Sequence, residues 1–247
     1  MPMKSMATKS MPTRSAPTLA RRLARAGAAL ALAACALPGA GAAVPVTGVR
    51  MEFVPPAPGS YALHRIMKAP DGVVLASDGK AHRLRNFVTG KVTLFSFIYT
   101  YCTDAKGCPL AYATLHTLKK EIESDRAMHG KVRFVSMSFD PEYDTPPMMG
   151  SYGGKDGRDD RGLRWHFLTS PSRAHLRPML DGFGQDVSVA AEQSAGQRVP
   201  TLQHMLKVYL IDSRGQVREI YSTSFLQPNV LMNDIKSLLM EAAAARK

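Results

Sequence analysis

The stretch VTLFSFIYTYCTDAKGCP, residues 92–109, decides the fold. Its first part, 92–99, is a short and nearly continuous apolar run rich in β-branched and aromatic residues. That is the composition of a strand buried on both faces. Beyond Cys108 the pattern turns helical over 109–126, because Leu115, Leu118 and Ile122 share one stripe while Lys119, Lys120, Glu121 and Glu123 lie off it. Pro109 suits the first helical turn, where its missing N–H would be unpaired anyway. Cys108 is therefore expected at the helix start or next to it, with Cys102 on the loop before. A helix N-terminus carries partial positive charge and free N–H groups that stabilise a thiolate, and Lys106 adds to this.

Outward from this core, residues 132–139 read as a second buried strand, and a short helix is expected to begin near Thr145. Residues 165–168 read as a strand and 171–183 as a helix. Two further strands, 205–211 and 217–221, are joined by Asp212-Ser213-Arg214-Gly215, a turn in which glycine supplies the permissive backbone. Pro228 opens a last helix with Leu231, Ile235, Leu238 and Leu239 on its apolar face. The segment 151–164 is glycine-rich and charged, and is expected to be an exposed, mobile loop. Val199-Pro200-Thr201 resembles the cis-proline region of thioredoxins but lies too far before the next strand, and is assigned to a loop. This order predicts an α/β domain with a central mixed β-sheet flanked by helices. The hairpin and terminal helix at its end make the expectation a thioredoxin-like fold.

The chain has 247 residues, three cysteines and a formal charge of +12. The first 35 residues hold Lys4, Lys9, Arg14, Arg21, Arg22 and Arg25 and no acid, so removing them leaves +6. The basic segment runs into the apolar run 26–34, which is short for a bilayer span and has the length of a signal-peptide core. Two exits are available after it. Leu32-Ala33-Ala34-Cys35 looks like a lipobox that would make Cys35 a lipidated first residue, and Ala40-Gly41-Ala42 looks like an ordinary cleavage site. The organisation expected is a signal peptide over 1–35 (or cleavage near Ala42), a linker or arm over 36–60, and one domain over 61–247. Export, to the periplasm, places that domain in an oxidising compartment, where two remaining cysteines make a disulfide or a metal site.

Several function classes are excluded. No Lys/Arg stripe interleaved with aromatics marks a nucleic-acid face. Neither a G-x-G-x-x-G after a strand nor a Walker A segment occurs, which argues against nucleotide binding. After the leader no apolar segment is long enough to span a membrane, so membrane attachment is expected only through a lipid at Cys35.

The chemistry concentrates at Cys102 and Cys108. Five residues separate them, close enough for a disulfide or a shared metal. A plain disulfide pinning the loop is one reading. The position at the carboxyl end of a central strand, where α/β folds put ligand sites, favours a functional pair. Four segments together resemble the SCO/SenC family, thioredoxin-like copper proteins of cytochrome oxidase assembly. FSFIYTYCTDAKGCP resembles its phenylalanine-rich strand leading to a cysteine pair, with Asp104 two residues after the first cysteine and Pro109 straight after the second. SMSFDPEYDTP, with Asp140, Pro141, Asp144 and Thr145, resembles its DPxxDT signature. WHFLT, residues 165–169, resembles its strand entering an LTG-like turn. HMLKVYLID, residues 204–212, resembles its copper-binding histidine placed five residues before a Tyr-Leu strand. The family's usual pair is Cys-x3-Cys, whereas here the spacing is Cys-x5-Cys, with extra residues around Lys106-Gly107. That longer loop bears on copper affinity and on the disulfide potential.

The resemblance implies a copper site of Cys102, Cys108 and His204, a soft set that suits Cu(I) above all, and a redox role for the cysteine pair. It implies as partner a cytochrome oxidase copper subunit or another exported cupro-protein. His64, His82, His116, His129, His166 and His175 are read as ordinary surface or core histidines. Asp104 is read as a loop-orienting or proton-transferring carboxylate, or as a solvated turn residue. Asp140 and Asp144 are read as caps of the following helix. Met148 and Met149 are read as gap fillers, and Met205 as a weak additional ligand at most. Three readings compete: a copper chaperone, a thiol–disulfide oxidoreductase that needs no histidine, and a non-catalytic module with a structural disulfide. A peroxidase ranks behind them, because Cys108-Pro109 does not suggest its pocket.

Overall fold

The computed structural model describes residues 54–159, 162–194 and 197–245. Cys35, Ala42 and the whole of the expected signal peptide lie outside the described residues. The decisive strand is β4 in chain order (Val92–Ile98), preceded by the short strands β1 (Met67–Lys68), β2 (Val73–Ala76) and β3 (Ala81–Arg83) and the one-turn helix α1 (Arg85–Val88). Then come α2 (Cys108–Ser124), β5 (Val132–Ser138), α3 (Pro146–Arg158), β6 (Arg164–Thr169) and α4 (Arg173–Phe183). The hairpin β7 (Val187–Ser194) and β8 (Gln197–His204) is followed by β9 (Val208–Ile211), β10 (Gln216–Tyr221) and α5 (Pro228–Ala244).

Eight strands form one sheet in the order β1-β10-β9-β4-β5-β6-β2-β3, and β7-β8 form a separate ribbon. Strands β4, β5 and β6 are parallel, whereas β9, β10, β1, β2 and β3 join antiparallel, so the sheet is mixed. Every residue of β4 and of β5 is buried, as their unbroken apolar runs require. On one face Phe95 stacks on Phe183 of α4 at 4.7 Å and Phe97 meets the same ring edge-on at 5.6 Å. On the other face Tyr112 of α2 stacks on Trp165 at 5.0 Å, and the Trp165 indole donates to Ser136 Oγ at 3.0 Å. Aromatic pairs of this kind combine large apolar burial with a fixed geometry, which sets how each helix sits on the sheet. Val92 lies opposite Val132 and Ile98 opposite Ser138, so β4 and β5 end level. The loops leaving them therefore emerge side by side, which is what assembles the site.

The structure corrects several expectations. Most of segment 151–164 is helix, not an exposed loop, because its glycines are packing devices. A Cβ on Gly153 would stand 2.5 Å from Phe167 and one on Gly157 3.1 Å from the same ring, while Gly154, at φ +50°, supplies a kink. Val199, Pro200 and Thr201 lie in β8, paired with β7, rather than in a loop. A two-stranded ribbon leaves one edge of each strand unpaired, where a proline without an N–H is tolerated. The strand expected at 205–211 begins only at Val208. Lys119, placed off the apolar stripe of α2, is 5% exposed. Its ammonium is held by Glu123 at 2.5 Å and Asp159 at 3.1 Å, which permits a buried charge. The end of the arm lies on α5, where Gly59 N–H donates to Ser237 Oγ at 2.9 Å and Asn233 Nδ2 donates to the Pro56 carbonyl at 2.8 Å. Among the described residues, no helix is long and apolar enough to cross a membrane.

Candidate functional site

The chain leaves β4 through buried Tyr99 and turns, with the Cys102 N–H donating to the Tyr99 carbonyl at 3.3 Å. Asp104 shapes the loop between the two cysteines: its side chain accepts from Lys106 N–H at 3.0 Å and its carbonyl accepts from Gly107 N–H at 2.9 Å. Gly107 fits because a Cβ there would stand 3.2 Å from the Asp104 carboxylate and 3.3 Å from the Asp104 carbonyl. Gly107 is the N-cap of α2, Cys108 is its first residue and Pro109 its second, as the sequence requires.

Cys102 is half-buried, Cys108 is 1% exposed, and both are free thiols. Each sulfur acts on the ionisation of the other. The neighbouring Cys108 holds Cys102 well below the usual thiol range against the opposing pull of burial, helped by Tyr99 and by the backbone of Cys108 and Asp104. The adjacent Cys102, together with burial, pushes Cys108 up. The pair is therefore asymmetric: Cys102 is the readier of the two to ionise, and Cys108 the readier to keep its proton. The helix N-terminus acts as its position suggests, but the sulfur it serves is Cys102.

His204 ends β8. Its Nδ1 lies 3.1 Å from the Leu202 carbonyl oxygen. A carbonyl only accepts, so Nδ1 carries a proton, and in the neutral imidazole the lone pair is on Nε2. That Nε2 is buried and has no hydrogen-bond partner. The ring sits edge-on to Phe139 at 4.6 Å and to Tyr99 at 5.6 Å. Tyr99 thus touches His204 and also helps to hold Cys102 below the usual thiol range. The two cysteines are together and His204 is close by, yet among the described residues no three of His, Cys, Asp and Glu stand near enough to hold a metal as placed. Met205 is 66% exposed.

Three of the remaining histidines have local partners. His116 Nδ1 bonds Asp156 at 3.0 Å, His129 Nε2 bonds the Glu123 carbonyl at 2.8 Å, and His175 Nδ1 pairs with Ser172 Oγ at 2.8 Å. Burial, reinforced by the cations Arg164, Arg133 and Lys91, pushes His166 down to about 4. Asp140 and Asp144 do not cap α3, whose N-cap is Thr145 without a side-chain bond. They turn instead toward the cysteine loop: Asp144 accepts from Thr100 and Asp140 accepts from the Tyr101 hydroxyl at 2.6 Å. Thr100 and Tyr101 carry no sequence signal of their own for this role. It arises from the level ends of two parallel strands, which is a property of register.

A family model described as SCO1/SenC matches residues 74–240. No curated protein matches the chain. Among solved structures, Arabidopsis thaliana ScoI with copper bound is 18% identical with a TM-score of 0.58, over 70% of this chain and 98% of that one. A SCO1/SenC family lipoprotein from Bacillus anthracis is 25% identical with a TM-score of 0.55, over 71% of this chain and 95% of that one. Yeast Sco1 with copper bound is 16% identical with a TM-score of 0.55, over 73% and 95%. With the family model spanning both the cysteine loop and His204, and with the fold shared, the chain belongs to the SCO1/SenC family.

Proposed function

We propose that this protein is an exported copper chaperone that carries copper on Cys102, Cys108 and His204. One observation supports the histidine above all: Nε2 of His204 is a buried lone pair with no partner, its tautomer fixed by the Leu202 carbonyl. An unpaired polar atom inside a protein is costly, and ligation would satisfy it. The neighbouring cysteines Cys102 and Cys108 supply the rest of a soft, three-donor set that fits Cu(I). Copper-bound structures of the Arabidopsis and yeast relatives support the same cargo. His204 would have to close on the sulfur pair, with Tyr99 moving aside.

The acceptor would be a cytochrome oxidase copper subunit or another exported cupro-protein, whose thiolates replace these ligands one at a time. The basic leader and the lipoprotein relative support export to the periplasm, with Cys35 or a site near Ala42 as the new N-terminus. Anaerobic titration of the reduced protein with Cu(I) against a chromophoric chelator tests the reading. Uptake of about one copper per chain is expected, and no uptake would refute it.

The asymmetry of the thiols favours a second activity at the same place. The half-exposed Cys102 thiolate is suited to attack a partner disulfide, forming a mixed disulfide and releasing one partner thiolate. Cys108, once deprotonated, would then attack the Cys102 sulfur and release the second partner thiol. The partner gains two electrons and this chain ends as the Cys102–Cys108 disulfide. Exchange that survives loss of His204 in a protein that takes up no copper would make this the main function.

A further inference from the structure

We propose that Asp144 is a positioning residue for Cys102, acting through Thr100; for its metal arm this rests on the copper reading above. The Asp144 side chain is wholly buried, at 0% residue exposure. One oxygen accepts the Thr100 N–H at 3.1 Å and the Ser138 hydroxyl at 2.6 Å, and the other accepts the Thr100 hydroxyl at 2.5 Å. Among the described residues no cation pairs with it. A carboxylate buried without a counter-ion persists only where its hydrogen bonds hold it, and such charge-assisted bonds are short and directional. Two of the three donors belong to Thr100, two residues before Cys102.

The neighbouring contacts extend the same grip. Asp140 accepts from the Tyr101 hydroxyl at 2.6 Å, and its own N–H donates to Ser138 Oγ at 2.9 Å. Residues 100 and 101 are thus held from the β5–α3 loop, and Cys102 comes next. The position of the Cys102 sulfur therefore follows from where residues 100 and 101 are held. The register of β4 against β5 defines it through these two carboxylates. Supporting residues of this kind tune a metal or redox site without touching it.

The test compares Asp144→Asn, Thr100→Val and Thr100→Ser in the full chain. Asparagine keeps the shape of Asp144 but replaces an acceptor oxygen with a donor. Valine keeps the Thr100 N–H and loses the hydroxyl, whereas serine keeps both donors. Two quantities are read: Cu(I) affinity by chelator competition, and the equilibrium of the metal-free Cys102/Cys108 pair with glutathione. Asp144→Asn and Thr100→Val are expected to lower Cu(I) affinity by about 10–100-fold and to displace the glutathione equilibrium, with Thr100→Ser behaving as wild type. The double variant should be no worse than Asp144→Asn alone, because both act through one contact. Unchanged affinity and unchanged equilibrium in Thr100→Val would overturn the proposal, as would a Thr100→Ser variant impaired to the same degree. If the wild-type protein takes up no copper, the copper reading fails, and the glutathione equilibrium still decides the role of Asp144. Should Asp144→Asn not fold, the Thr100 pair carries the decision.

Discussion

Cys102→Ser is expected to abolish both copper uptake and thiol exchange, whereas Cys108→Ser abolishes copper uptake but leaves a reactive sulfur. The difference comes from where the thiolate sits. Cys102 is half-exposed, and the adjacent Cys108, Tyr99 and the backbone of Cys108 and Asp104 hold it below the usual thiol range. Cys108 is 1% exposed, and burial together with the neighbouring thiolate keeps its proton on. Iodoacetamide at neutral pH should therefore label Cys102 in the folded, reduced protein and reach Cys108 only after unfolding. In Cys108→Ser the half-exposed Cys102 is still accessible, so labelling persists. Mass spectrometry of the labelled peptides reads the outcome directly. Equal labelling of both cysteines in the folded protein would contradict the assigned asymmetry.

His204→Ala is expected to weaken Cu(I) binding by more than about 100-fold, the upper end of what loss of a mere supporting partner costs. The metal-free protein should otherwise behave as wild type in thiol exchange, because His204 takes no part in the hydrogen bonds that set the Cys102 thiolate. The fold should survive, since His204 ends β8 in the two-stranded ribbon outside the eight-stranded sheet. His204→Gln keeps much of the volume against Phe139 and Tyr99 but offers no imidazole nitrogen, so it should match the alanine variant in affinity. Chelator competition and a glutathione equilibrium on the same samples check both halves. Wild-type copper affinity in His204→Ala would remove the histidine from the site and move the weight to thiol exchange.

The parts of the fold legible in the sequence were those with strong periodic or continuous apolar patterns. Strands β4 and β5 announced themselves as unbroken apolar runs, and α2 and α5 as stripes opened by Pro109 and Pro228. What failed failed for identifiable reasons. Glycines in α3 look like loop composition, yet they exist to let Phe167 pack against the helix backbone. Lys119 looks like a solvent-facing residue until the carboxylates of Glu123 and Asp159 are placed around it, and Asp159 is distant in sequence. The small strands β1, β2 and β3 are two to four residues long, too short to show a period.

At the candidate site, the placing of Cys102 and Cys108 at the start of α2 could be read directly, because their spacing and the strand–loop–helix context are local. His204 required family resemblance, since a lone histidine has no local signature. Tyr99, Thr100 and the true partners of Asp140 and Asp144 were out of reach. Their contacts depend on the level ends of β4 and β5, which no single segment encodes. The capping role expected for Asp144 was a sound local inference that a non-local partner displaced.

The central claim is that Cys102, Cys108 and His204 act together on one copper ion, although the metal-free arrangement leaves them short of a closed site. X-ray absorption at the copper edge of the Cu(I)-loaded wild-type protein tests it most directly. The expected spectrum fits two sulfur neighbours and one imidazole nitrogen, with the imidazole signature absent in His204→Ala. A copper shell of sulfur alone in the wild-type protein, or an imidazole signature that persists without His204, would contradict it.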